Sequence, residues 1–155
     1  MIYRHSPDDE LSQGDIIRHV KVIVNIRDTE THQPKNDASN IIVLSRNCEI
    51  SKPPKVETGT NSVLVARVIP FAAIDRGLQG DIRRKRVVSV YYLPKHEEFM
   101  DEECYIDWRT FQQIDKSYLY ILRSEPGYYR CTVETESFKL ALGGLFIFLK
   151  PDEEP

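Results

Sequence analysis

The segment that decides the fold is residues 41–50, which read Ile-Ile-Val-Leu-Ser-Arg-Asn-Cys-Glu-Ile. Its first half, Ile41–Leu44, is a continuous apolar run, which is typical of a β-strand buried on both faces. Its second half, Ser45–Ile50, is a polar turn, and polar side chains at the end of a rigid strand are well placed to carry function. The segment therefore predicts a central strand that leads directly into a candidate site.

Apolar runs on both sides of this strand predict further strands. The segment 27–40, in contrast, holds no apolar pair and predicts a polar loop, while a short helix is expected at Phe71–Arg76, ended by Gly77. Residues 117–123 fit either a strand or a helical turn. The expected strands are residues 16–26, as one long strand or as two with a bend near His19, residues 62–69 closed by Pro70, residues 87–93, and residues 104–108.

The C-terminal segment has a different periodicity. Apolar residues recur there at three- and four-residue spacing, which predicts an amphipathic helix over residues 135–149 with its apolar face toward the core. Gly143-Gly144 inside the segment costs up to about 1 kcal/mol per glycine against alanine. A β-strand within residues 140–149 is therefore the competing interpretation. The periodic residues are Phe138, Leu142, Leu145, Phe146 and Leu149.

Length and composition limit the protein classes. The 155 residues predict one domain over residues 1–150, followed by a flexible acidic tail at 151–155. A net charge of −3 argues against a protein that coats nucleic acid non-specifically, although a local basic patch remains compatible with it. Five or six short strands with one C-terminal helix predict a mainly β fold, namely a small antiparallel barrel.

Cysteine usage and hydropathy indicate the compartment. The three cysteines are widely spaced and form no C-x-x-C pair, which favours a reducing, cytoplasmic location over a disulfide framework or a zinc site. The longest apolar stretch, Leu140–Leu149, is about half of the roughly 20 residues that span a bilayer, so no membrane association is expected. No motif indicates a cofactor, and no histidine pair has metal-ligand spacing, so neither a cofactor nor a metal is expected.

Four segments of the chain resemble the MazF/PemK-type toxin domains. Gly14-Asp15-Ile16-Ile17 is similar to the start of the first strand of that family, and Ile41-Ile42-Val43-Leu44-Ser45 is similar to its "VLVLS" strand. Residues 62–70 resemble the next strand, and residues 105–119 resemble the closing strands. The resemblance implies an SH3-like barrel, a homodimer, and metal-independent cleavage of single-stranded RNA.

The chemistry that the resemblance implies depends on two positions. The family has an arginine just before the "VLVLS" strand and a threonine or serine at the end of the next strand. These positions fall on Ser39-Asn40 and near Ile69-Pro70, and neither matches. We therefore expect a diverged member that acts as an accessory or interaction module rather than as an enzyme. Its partner would be another protein or a second copy, in a bacterial toxin–antitoxin or phage-defence system.

An alternative keeps the RNA chemistry. In this alternative the protein binds or cleaves single-stranded RNA with substitute residues, which would make it a metal-independent endoribonuclease if it cleaves. The candidates for this role are Arg46, Arg67 and the run Arg83-Arg84-Lys85-Arg86. Four adjacent cations are suited to phosphates, and Tyr91, Tyr92 and Trp108 to unpaired bases. On a strand, however, alternate side chains would point to opposite faces, and the acidic residues of 97–103 could simply pair with the run.

The turn after the central strand offers a third hypothesis, a cysteine-dependent enzyme. Cys48 would be its nucleophile if Arg46 or a histidine lowered the thiol pKa, with Glu49 orienting that histidine. A separate alternative is a turn that binds a ligand non-covalently, with Ser45 and Asn47 as binding groups. The simpler interpretation is that Cys48 is a small buried hydrophobic residue and that Asn47 makes the turn. In that interpretation Glu49 pairs with Arg46.

Overall fold

The computed structural model describes residues 2–6, 10–25, 30, 32–46 and 61–150. Strands predominate over helices in this part of the chain, which confirms the predicted mainly β class. The strands are β1 (Tyr3–Arg4), β2 (Asp15–Asn25), β3 (Lys35–Val43), β4 (Ser62–Pro70), β5 (Val90–Leu93), β6 (Cys104–Asp115) and β7 (Tyr129–Val133). The helices are α1 (Arg76–Arg83), α2 (Lys116–Ser124) and the C-terminal α3 (Thr135–Leu149), with a 3-10 turn at Phe71–Ala73.

The seven described strands form one antiparallel sheet in the order β1-β7-β2-β3-β4-β6-β5. The sheet is curled into a half-barrel. Gln112 on β6 shows the curl, because its side chain accepts a hydrogen bond from Ile23 N (2.9 Å) and donates one to Ile23 O (3.1 Å) on β2, although β3 and β4 lie between these two strands in the sheet order. At the two edges, the Tyr3 hydroxyl on β1 donates to Pro94 O, just after β5, at 2.7 Å. The predicted small antiparallel barrel with a C-terminal helix is confirmed in this form.

The central strand β3 is covered on both faces, as its continuous apolar run predicts. Ile42 and Leu44 belong to the core cluster that contains α3 residues, whereas Ile41 and Val43 belong to the cluster that contains α2 residues. All four side chains are at most 4% exposed. Because each face of a strand carries every second side chain, burial of both faces replaces the usual alternation by an unbroken apolar segment.

Two predictions about the first half of the sheet have different outcomes. The bend near His19 is confirmed, since His19 has a φ of 56° and the β2–β3 register shifts between Ile17 and Val20. The polar loop predicted for residues 27–40 is wrong in its second part, because β3 already begins at Lys35. The first four residues of β3 are exposed, so their polar side chains face water on a strand.

The helix predictions are also corrected in part. Residues 116–124 are helical, and the Asp115 side chain caps the helix by accepting a hydrogen bond from Ser117 N at 3.0 Å. The short helix expected at Phe71–Arg76 is instead the 3-10 turn followed by α1, so Gly77 lies inside a helix rather than ending one. The C-terminal helix is confirmed, and the competing strand within residues 140–149 is wrong.

The predicted apolar face of α3 is not entirely buried. Phe138 and Leu145 pack in the core, but Phe146 is 68% exposed and Leu149 is 49% exposed. None of the helices in the described ranges is long and apolar enough to cross a membrane. The acidic segment 151–155, predicted to be a flexible tail, lies outside the described residues.

The Gly14-Asp15 motif joins three strands at the start of β2. Gly14 donates its N–H to Val43 O (2.8 Å) and accepts from Val133 N (3.0 Å), with a φ of 89°. The carboxylate of Asp15 is fully buried, and it accepts hydrogen bonds from Thr132 Oγ1 at 2.6 Å and from Arg123 Nε at 3.2 Å. The motif therefore fixes the junction of β2 with β3, β7 and α2.

Candidate functional site

A bulge in β6 is the local feature from which the candidate site is built. The pairs Arg67–Asp107 and Val65–Gln112 join β4 and β6, so one β4 residue, Ala66, stands opposite the four residues 108–111 of β6. Bulges re-aim side chains and are frequent beside functional sites. Here the extra residues place Arg109, Thr110 and Phe111 next to Arg67.

Thr110 holds this bulge in a defined shape. Its hydroxyl donates to the carbonyl of Asp107 at 2.6 Å and accepts a hydrogen bond from the backbone N–H of Arg67 at 2.9 Å. The side chain thus replaces the backbone pairing that the bulge interrupts. As a result, the backbone of Arg67 is held in place, and this backbone positions the side chain that carries the guanidinium group.

The guanidinium group of Arg67 is oriented by a serine of the neighbouring strand. Arg67 Nε donates to Ser39 Oγ at 3.0 Å, and Ser39 is 9% exposed. Within the described part of the chain, the terminal nitrogens Nη1 and Nη2 of Arg67 make no hydrogen bond and no ion pair. The side chain is only partly buried. It therefore presents two N–H-bearing atoms that suit a planar or phosphate oxyanion.

Arg109 adds a second cation beside Arg67. Both carboxylate oxygens of Asp107 accept from Arg109, through Nε and Nη2, each at 3.0 Å. These hydrogen bonds raise the pKa of the Arg109 guanidinium above its usual range. The Asp107 side chain is 7% exposed and that of Arg109 is 64% exposed, so the carboxylate is buried under the arginine that it holds.

These residues line an open cleft of about 440 Å³. Its wall includes two exposed apolar side chains, Phe111 at 43% and Ile23 at 39% exposure. Two arginines and one aspartate give the cleft a formal charge of about +1, counted from the usual ionisation of these groups. The arrangement combines a cationic group with an exposed aromatic ring in a volume within the common range of ligand sites.

Ser45 and Arg46, the described residues of the predicted turn after β3, do not line this cleft. Ser45 Oγ accepts a hydrogen bond from Leu64 N at 2.8 Å, so this hydroxyl extends the β3–β4 pairing by one step. Arg46 is exposed. Ser45 is six residues beyond Ser39, about 20 Å along an extended strand. The other predicted residues of the turn, Asn47, Cys48 and Glu49, lie outside the described residues.

The basic run does not lie on a strand. Arg83 ends α1, and Arg84, Lys85 and Arg86 follow in an exposed turn. Arg83 makes a bidentate ion pair with Glu103, with Nε 3.1 and 3.0 Å from the two carboxylate oxygens. The pairing of this run with the acidic segment, which the sequence suggested, thus occurs at Arg83. None of the four residues of the run lines the cleft beside Arg67.

Three further side chains named from the sequence are already occupied or buried. Trp108 is 0% exposed and lies in the core, so the prediction that it stacks on bases is wrong. Tyr92 donates its hydroxyl to Glu103 at 3.1 Å, and Tyr91 contacts Lys85 at 3.4 Å. Among the residues that the structure describes, no group of three His, Cys, Asp or Glu side chains is arranged to hold a metal ion.

Comparison with known proteins gives no match to a family model and no significant match to a curated protein.

Sequence reasoning found one member of the cleft and missed the others. Arg67 was named among the candidate residues for RNA binding, together with Arg46 and the basic run. Arg109 and Phe111 were missed because the strand was expected to end at Trp108. The β-favouring residues Thr110, Phe111 and Ile114 after Trp108 are the signal that would have extended β6, although nothing in the sequence marks the bulge itself.

Proposed function

We propose that the protein is a binding module for single-stranded RNA, built on a diverged MazF/PemK-like barrel, with Arg67, Arg109 and Phe111 as its contact residues. The observation that carries this proposal is the pair of uncommitted Arg67 terminal nitrogens in a cleft that also exposes an aromatic ring. Arginine binds a phosphate with two parallel hydrogen bonds, and an aromatic ring stacks on an unpaired base. A cleft that offers both suits one or two nucleotides of a flexible single strand.

The charge of the chain supports a small, local contact. With a net charge of −3, the protein as a whole repels a polyanion, whereas the cleft is cationic. A long phosphate-coating interface would need many more exposed cations on one face. We therefore expect the protein to contact only a few nucleotides and the affinity for RNA to depend weakly on salt concentration.

Binding is favoured over cleavage by the groups around Arg67. Cleavage of RNA needs a base to take the 2′-hydroxyl proton. The described residues that line the cleft include no histidine, and the carboxylate of Asp107 is committed to Arg109.

The resemblance implies an arginine on one strand and a serine or threonine on the next. Here the two residue types form a hydrogen bond, but each lies on the other strand: the serine, Ser39, is on β3 and the arginine, Arg67, is on β4.

The proposal is tested by fluorescence anisotropy of a labelled single-stranded RNA of about ten nucleotides. Arg67→Met is expected to weaken binding about 10- to 150-fold, since a hydrogen bond to a charged group contributes about 1.5–3 kcal/mol. Phe111→Ala is expected to weaken it similarly through the loss of stacking, at about 1–3 kcal/mol per base.

Two controls define the site. Arg84→Met removes an exposed arginine outside the cleft and should leave the affinity within about twofold of the unmodified protein, because only a long-range charge is lost. A duplex of the same sequence should bind more weakly, because its bases cannot reach Phe111. If the RNA does not bind, or if Arg67→Met and Arg84→Met behave alike, the proposal is wrong. Cleavage of the RNA in EDTA would instead favour the endoribonuclease alternative.

The remaining expectations stay predictions. Homodimer formation and a place in a toxin–antitoxin or phage-defence assembly rest on the resemblance alone. For the cysteine-enzyme alternative, the structure describes only the other two cysteines, and both are buried. Labelling of Cys48 with iodoacetamide well below pH 8, faster than the other thiols, would support that alternative.

A further inference from the structure

A second concave surface lies between β5 and α3. It is a groove of about 430 Å³, which we name the α3 groove; the residues that line it include Lys85, Val88, Lys139, Leu140, Gly143 and Ile147. Tyr91 forms part of its floor. A Cβ atom on Gly144 would lie 3.5 Å from Tyr91 and 3.6 Å from the buried Trp108 indole, so the glycine keeps the groove deep.

The apolar walls of the α3 groove are open to solvent. Val88, Leu140 and Ile147 are 56%, 67% and 64% exposed, and the adjoining Phe146 is 68% exposed. Leu140 and Ile147 lie on one face of α3 with Gly143 and Gly144 between them, because residues three, four and seven positions apart share one face of a helix, and Val88 comes from the segment before β5. Contiguous exposed apolar surface of this kind marks an interaction site more often than scattered residues do.

The rim of the groove is cationic in a chain that is acidic overall. Lys85 contacts only the Tyr91 ring and hydroxyl, with Nζ 5.0 Å from the ring centroid, so no carboxylate of the described residues neutralises it. Lys139 is paired with Glu136 at 3.3 Å, but the two side chains are 67% and 87% exposed. Such an exposed pair is weak and a partner carboxylate can replace Glu136. Arg84 and Arg86 flank Lys85 in the sequence and are exposed as well.

We propose that the α3 groove binds an amphipathic helix of a partner protein, with an apolar face that fills the groove and acidic residues that pair with Lys85 and Lys139. The concave shape suits side chains inserted at helical spacing. The cationic rim selects acidic flanks and steers association. This surface shares no lining residue with the Arg67 cleft, and it gives the expected interaction role a defined location and partner chemistry.

The same features argue against two other occupants. A second copy that docked groove to groove would bring Lys85 and Lys139 of one protomer toward the same cations of the other, which is unfavourable. An anionic bilayer would satisfy the cations, but a flat surface leaves the groove between Val88 and Gly143 unfilled. The acidic helix fits both the charge and the concavity.

The test uses fluorescein-labelled model peptides of roughly 18 residues, about five helical turns. One peptide has leucine at helical spacing with glutamate elsewhere, a second has lysine in place of glutamate, and a third is a scrambled glutamate version. We expect the ordered acidic peptide to bind and the other two to bind at least about tenfold more weakly.

Matched variants locate the binding. Gly143→Leu fills the groove, because a Cβ there meets no atom within 4 Å, and leucine favours the helix more than glycine does. It should reduce binding of the acidic peptide at least about tenfold without loss of folding. Gly77→Leu makes the same change in open space on α1 and should have no effect. The double variant Lys85→Glu and Lys139→Glu should exchange the preference toward the lysine peptide.

Each other result overturns the proposal. Absence of peptide binding, or equal binding of the acidic and lysine peptides, removes the charge argument. Concentration-dependent self-association in analytical ultracentrifugation that Gly143→Leu abolishes would assign the groove to a second copy. Co-sedimentation with phosphatidylglycerol vesicles, without binding of the acidic peptide, would assign it to a membrane surface.

Discussion

Gly14→Ala tests the strand junction at the start of β2. The residue has a φ of 89°, in the region that favours glycine, and a Cβ added to it would lie 2.9 Å from the carbonyl oxygen of Val133. That oxygen belongs to the backbone of β7, so it cannot move aside as a flexible side chain would. Both the backbone conformation and the close approach should therefore destabilise the variant.

The magnitude has two parts. An alanine with a left-handed φ costs about 1–2 kcal/mol. A forced contact in a packed region typically adds about 1–3 kcal/mol. The sum of about 2–5 kcal/mol is a large part of the roughly 5–15 kcal/mol that stabilises a typical domain. Gly127→Ala is the matched control, because its φ is 88° but its added Cβ meets nothing within 4 Å. It should cost only the first part.

Urea unfolding followed by the fluorescence of the single tryptophan measures both variants. With a slope of about 2 kcal/mol per M, the midpoint should fall by roughly 1–2.5 M for Gly14→Ala and roughly 0.5–1 M for Gly127→Ala. Equal losses for the two variants would refute the reasoning, since they would show that the approach of Gly14 to β7 carries no strain.

Other measurements test separate parts of the structure. Gln112→Leu should lower the free energy of unfolding in urea by about 1–3 kcal/mol, because two hydrogen bonds that join β6 to β2 are lost. An unchanged urea midpoint would show that these two hydrogen bonds do not stabilise the curled sheet. Cys104 and Cys131 should resist iodoacetamide at pH 8 in the folded protein, because burial raises the pKa of each thiol to about 12; rapid labelling before unfolding would be inconsistent with their burial. The hydrogen bonds from Arg83 lower the pKa of Glu103 below its usual 4.5, so this pair stabilises the protein above that pH and the contribution is lost as the pH falls through the folded-state pKa. Thermal unfolding should therefore show that the unmodified protein is more stable than Arg83→Met at pH 7 and that this difference becomes smaller toward pH 3. A difference in stability that does not change between pH 7 and pH 3 would contradict the pairing of Arg83 with Glu103.

The fold followed from the sequence wherever local pattern and burial agree. Helices cover both faces of Ile41–Leu44, so the segment has no polar alternation. Its unbroken apolar run therefore predicted a strand buried on both faces. The strand from Lys35 was missed for the opposite reason. Its outer residues face water, and their polar character is indistinguishable from that of a loop until the pairing with β2 is known.

The candidate site was predicted in part. Arg67 was predicted as one of several cations that could contact RNA, and it is the one of them that lines the cleft. Its partner Ser39 is 28 residues earlier and meets it only through the β3–β4 register. The bulge that adds Arg109 and Phe111 depends on how β6 pairs with two neighbours, which no local pattern encodes. The exposed face of α3 was missed because periodicity shows that a helix has an apolar face without showing what covers it.

The salt dependence of single-stranded RNA affinity is the most direct test of the Arg67 cleft as an RNA site. The slope of log K against log salt reports the phosphates that cations neutralise, at about 0.7 per phosphate for a single strand. If Arg67 contacts a phosphate, Arg67→Met should reduce the magnitude of the slope by about 0.7, whereas Arg84→Met should leave it unchanged. Equal slopes for Arg67→Met and the unmodified protein would contradict the account.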